Sequence, residues 1–127
     1  MSITLHHVSL LIVDLVRARA FYGEVLGLQE DPARPDLGYP GAWFTVGSGL
    51  QLHLLQLPNP DPQTGRPEHG GRDRHVAFVV DDLAALRARL DAAGIAYTES
   101  RSGRAALFCR DPDGNALEWI QSASTRA

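Results

Sequence analysis

The stretch HVSLLIVDL, His7 to Leu15, returns as HVAFVVDDL, His75 to Leu83, with histidine, valine, apolar positions, aspartate and leucine at equal offsets. Each apolar run reads as a strand, and each closing aspartate, Asp14 or Asp82, reads as the N-cap of a helix. The patterns DLVRARAFYGEVLG and DLAALRARLDAAG follow, ending on Gly27 and Gly94, where glycine relieves left-handed strain after the last turn. Leu15, Phe21, Tyr22, Val25 and Leu26, and Leu83, Leu86, Leu90 and Ala93, recur at helical spacing.

Strand-like segments come next in both halves. They are a short piece near Leu28, AWFTV from Ala42 and LQLHLLQL from Leu50, then IAYTE from Ile95, RAALFCR from Arg104 and NALEWIQ from Asn115. The last two flank DPDG, Asp111 to Gly114, which predicts a hairpin. Each half is therefore βαβββ. The predicted layout is a first module over 1–57, a connector over 58–73 and a second module over 74–127, forming one compact domain. The connector, PNPDPQTGRPEHGGRD, holds four of the eight prolines and reads as an exposed link or a lid over a site.

Composition narrows the function. In 127 residues there is a single cysteine, Cys109, which excludes an intramolecular disulfide and a thiolate-rich zinc site. Net charge is −3, lysine is absent and the arginines are spread out, so no basic block matches a phosphate backbone and nucleic acid is not an expected partner. The N-terminus lacks a basic region before a long apolar run, and no stretch is apolar enough to span a bilayer. A cytoplasmic protein with no membrane partner is the expectation.

Four polar side chains interrupt the strand patterns. His7 and His75 open the two repeats, while His53 and Glu118 lie inside otherwise apolar terminal strands, 46 and 43 residues after their leading histidines. A lone strand histidine is ordinarily a hydrogen-bonded or partly exposed residue. Four in equivalent places are harder to explain so, and a carboxylate buried on a strand face needs a proton, a partner or a cation. If the modules meet at these strands, three imidazoles and one carboxylate form a shell for a divalent ion. His6 has the opposite strand parity and is expected to face away. Arg72 and Arg74, at the end of the connector, are candidates to hold an anionic substrate, with Trp43 and Tyr97 as substrate-lining candidates.

HHVSLLIVDLVRARAFYGEVLGL, followed by RHVAFVVDDL and DPDGNALEW, resembles the vicinal oxygen chelate superfamily of glyoxalases, extradiol dioxygenases, fosfomycin-resistance transferases, epimerases and bleomycin-resistance proteins. The resemblance implies an α+β fold in which paired βαβββ modules form a curved mixed sheet around a central cleft. It implies His7, His75 and Glu118 as ligands of one divalent metal ion: zinc, iron(II), nickel or manganese. The position of His53 is glutamate in typical bacterial glyoxalases and glutamine in epimerases. His53 would either complete the shell or act as the catalytic base, since one nitrogen cannot both bind metal and accept a proton. A homodimer is implied too, with sites between modules of one chain or of two. The implied function is Lewis-acid chemistry on a small substrate with adjacent oxygens, as in glyoxalases and dioxygenases. The alternative is a non-catalytic, bleomycin-resistance-type protein that sequesters a small molecule.

Overall fold

The computed structural model describes residues 1–123; the predicted end of the second module, 124–127, lies outside them. The chain is α+β and divides into two compact units, Met1–Asp61 and Pro62–Ala127, so most of the predicted connector goes with the second. Among the described residues no helix is long and apolar enough to cross a membrane.

The first unit holds β1 (His7–Ile12), α1 (Leu15–Arg19), a π-helical segment (Ala20–Val25), β2 (Gln29–Asp31), β3 (Gly41–Val46) and β4 (Leu50–Gln56). Its sheet runs in the order β1-β4-β3-β2, with β1 parallel to β4 and the other pairs antiparallel. Asp14 caps the helix as predicted, its Oδ1 accepting from the amides of Val16 and Arg17. Beyond Arg19 the winding widens, and the Leu26 amide reaches back five residues to the Phe21 carbonyl. Phe21 and Tyr22 are both buried, with Tyr22 against Phe44 of β3.

The second unit repeats the plan: β5 (His75–Val80), α2 (Leu83–Ala92), β6 (Tyr97–Glu99), β7 (Ala106–Arg110) and β8 (Ala116–Gln121), in sheet order β5-β8-β7-β6. Asp82 caps α2 through the Ala85 amide, and Leu83, Leu86 and Leu90 bury the helix against one sheet face. On that face Phe78 stacks on Trp119. Gly27 and Gly94 have φ of 76° and 70°, the left-handed values that their places after the helices require.

The register is the same in both units. His53 is paired with Ser9, two residues past His7, and Glu118 with Ala77, two residues past His75. The difference between spacings of 46 and 43 is therefore absorbed outside the paired strands. Because side chains alternate along a strand, each sheet has one helix-covered face and one face carrying the polar residues.

Candidate functional site

In the first unit, strand alternation and cross-strand register put His7 and Ser9 of β1 on one face with Gln51 and His53 of β4, Trp43 of β3 and Asp31 of β2. His53 is buried and sandwiched. Its ring lies 4.0 Å from that of His7 at an interplanar angle of 17°, and 4.4 Å from that of Trp43 at 9°. The Gln51 amide donates to Asp31 Oδ2 at 2.8 Å, which turns its oxygen toward His53 Nε2 at 2.9 Å. A carbonyl oxygen only accepts, so Nε2 carries the hydrogen and Nδ1 the lone pair. Burial, then the charges of His7, His6 and Arg34, push His53 below the usual imidazole range, with Asp31 opposing. Imidazole lone pairs lie in the ring plane. Those of the stacked His7 and His53 rings run side by side and do not converge.

His6 departs from the parity argument. It precedes the first residue of β1, so alternation does not govern it, and its Nδ1 lies 2.8 Å from Nδ1 of His7.

In the second unit His75 and Glu118 meet directly, Nε2 to Oε1 at 3.2 Å, with the Glu118 side chain only 5% exposed. His75 Nδ1 lies 2.9 Å from the Asp73 carbonyl and must donate to it. The ring's other nitrogen then faces a carboxylate oxygen. Two acceptors in that position repel unless a cation, a proton or a metal ion, lies between them. The other carboxylate oxygen of Glu118 accepts from Arg104 Nη2 at 3.1 Å.

A recess of about 350 Å³ opens beside this pair, bounded by His69, Arg72, His75, Arg101, Arg104 and Glu118. The end of the connector is docked on the sheet through His69 and Gly70, which are buried, while Gly71 and Arg72 stay exposed. Asp73 accepts from Arg66 and from Arg110, which also donates to the Pro67 and Gly114 carbonyls. Burial pushes the Asp73 carboxyl up, but Arg110 and Arg66 outweigh it and hold the group below its usual range. Gly70 lies so close that a Cβ there would stand 3.3 Å from Phe108 Cβ. His69 is buried edge-on to Phe108, with Nδ1 2.6 Å from Thr98 Oγ1.

The predicted ligands thus appear as a stacked pair, His7–His53, and a polar pair, His75–Glu118. Among the described residues no three His, Cys, Asp or Glu side chains gather in metal-binding geometry. Of the predicted substrate contacts, Arg72 lines the recess and Trp43 stacks on His53. Arg74 is exposed, its amide bonded to Asp73, and is not among the residues bounding the recess. Tyr97 lies on the other face, where a hydrogen bond to Asp91 of α2 raises its phenol above the usual range. Sequence reasoning missed Gln51 and Asp31. Gln51 was findable as the residue two before His53, on the same face; the Asp31 contact required the sheet order.

A family model described as Glyoxalase/Bleomycin resistance protein/Dioxygenase superfamily matches residues 4–119. Glyoxylase I 4 of Arabidopsis thaliana is 29% identical over 91% of this chain and 68% of its own length. A lactoylglutathione lyase of Haemophilus influenzae is 29% identical over 95% of this chain and 94% of its own. Among solved structures, a glyoxalase family protein from Bacillus anthracis aligns with a TM-score of 0.78 at 26% identity, covering 96% of this chain and 97% of that one.

Proposed function

Because the chain belongs to the Glyoxalase/Bleomycin resistance protein/Dioxygenase superfamily, we propose that it is a divalent-metal-dependent enzyme acting on a small substrate with neighbouring oxygens. The observation that carries this reading is the His75–Glu118 pair. The Asp73 carbonyl fixes the tautomer that leaves Nε2 as the donor atom, and Glu118 supplies an anionic oxygen beside it. One nitrogen and one oxygen without thiolate suit zinc, iron(II), nickel or manganese. The resemblance adds His7 as a third ligand. When bound, such an ion stabilises negative charge developing on a substrate oxygen.

His53 acts outside the shell in this reading. Its Nε2 hydrogen is committed to Gln51, its faces are covered by His7 and Trp43, and Nδ1 is left to accept a proton. A second reading, sequestration of a planar compound without metal, is favoured by the same three-ring stack of His7, His53 and Trp43.

Elemental analysis of the purified protein separates the two. The enzyme reading expects about one divalent ion per chain, lost in His75→Ala and Glu118→Ala variants that keep native circular dichroism, and weakened in His7→Ala. Full occupancy in both of the first two variants would refute the assignment. Metal-free protein that binds planar ligands tightly would favour sequestration.

A further inference from the structure

We propose that a separate cavity of the second unit, walled by the connector and by strands β6 and β7, binds a small primary amine with a hydrocarbon body, its ammonium group held by Glu68. The inference is independent of the metal reading, since neither His75 nor Glu118 bounds this cavity. Its volume is about 400 Å³, and it lies between Glu68 and Gly70 on one side and the chain at 95–98 and 108–110 on the other. Gly70 bounds this cavity while His69 and Gly71 bound the recess beside His75, so the connector runs between the two. Its wall is fixed before any ligand arrives. Arg110 donates to the Pro67 carbonyl and His69 Nδ1 lies 2.6 Å from Thr98 Oγ1, so the residues on both sides of Glu68 are tied to the sheet. Glu68 itself is exposed, and among the described residues no hydrogen bond or ion pair takes its carboxylate.

The ligand chemistry follows from which groups are already engaged. Arg110 is the one base among the bounding residues, and both its terminal nitrogens are committed, to Asp73, Pro67 and Gly114. Glu68 is the one acid, so the uncompensated charge at the rim is negative. Cys109 offers neither a charge nor a nucleophile: burial, only partly offset by the Trp119 indole donating to its sulfur, pushes the thiol up to about 11. Ile95, Ala96 and Phe108 make much of the remaining wall hydrocarbon. A mostly apolar concavity with one oriented polar group has the form of a small-molecule site. An anionic rim over such a cavity favours a cation with an apolar body over its neutral or acidic counterpart.

Proton–nitrogen correlation spectra of the full chain test this by titration with cyclohexylmethylamine, and with cyclohexylmethanol and cyclohexanecarboxylate as its neutral and anionic counterparts. The amine should move the amides of Gly70, Thr98 and Phe108 and bind about threefold tighter than the alcohol, the worth of one exposed ion pair, with the carboxylate weakest. Glu68→Gln should bring the amine down to the affinity of the alcohol and leave the alcohol unchanged. Ala96→Phe, at an exposed position, should fill the cavity and abolish binding of both. Equal affinity of amine and alcohol in wild type, the full amine preference retained in Glu68→Gln, or undiminished binding in Ala96→Phe overturns the inference. So does an amine that leaves the three amides unmoved. Equal amine affinity with and without EDTA sets the site apart from the proposed metal pair, whereas loss of binding in EDTA overturns its independence.

Discussion

The two sheets share strand order and register, yet their polar faces are stabilised in different ways. In the first unit the polar residue of the last strand is a histidine sandwiched between two rings and tied through Gln51 to Asp31. In the second it is a glutamate that faces His75 and is paired with Arg104, beside a docked segment of chain. One face is packed and largely neutral; the other is ionic. The repeated backbone fixes where the fourth-strand side chain sits, and its neighbours decide what it can do.

The largest expected effect breaks the ionic face. Asp73, its side chain 9% exposed, joins Arg66 and Arg110 and anchors the connector. Asp73→Ala leaves two guanidinium groups without their partner and should destabilise the protein by about 3 kcal/mol in urea unfolding. Asp31→Ala, at the end of the hydrogen-bonded chain in the first unit, should cost clearly less. Equal losses would remove the distinction between the faces.

The stacked face is tested next. His53→Ala removes both ring contacts and should cost about 2 kcal/mol, each stack being worth roughly 0.5–1.5 kcal/mol. His53→Phe keeps the stacks, lacks only the hydrogen bond to Gln51, and should recover most of the loss. If phenylalanine is as damaging as alanine, the hydrogen bond and not the stacking holds this face together.

The smallest effect is a pH dependence. His69 is buried and held below its unfolded value of about 6.5, so the unfolded chain takes up the proton first. Its contribution to stability is therefore full above about pH 6.5 and falls away as the pH drops toward the folded value. Melting temperatures between pH 7.5 and 5.5 should decline in wild type and decline less in His69→Gln. An identical slope would place the sensitivity elsewhere, His53 being shifted in the same direction.

Much of this was legible in the sequence. The offset of seven residues from His7 to Asp14 and from His75 to Asp82 marks two strand-to-helix units, because capping and strand alternation are local properties. His75 and Glu118 could be named for the same reason, as polar breaks in alternating strands. What escaped depends on non-local pairing. The Gln51–Asp31 contact needs β3 placed between β2 and β4, and Arg104 reaches Glu118 only through the register that pairs Phe108 with it. The connector was left as an exposed link or a lid because the contact that docks it, Asp73 to Arg110, spans 37 residues of chain. The π-helical winding at Ala20–Val25 has no periodicity signal short enough to read.

The central claim is that His75 presents Nε2, with Nδ1–H held by a backbone carbonyl, to a cation shared with Glu118. Nitrogen-15 spectra of the histidine-labelled protein titrated with ¹¹³Cd²⁺ test it most directly. A cadmium coupling at His75 Nε2, with Nδ1 remaining protonated and the coupling gone in Glu118→Ala, is the predicted result. Coupling at Nδ1, or a His75 ring unaffected by metal, would contradict it.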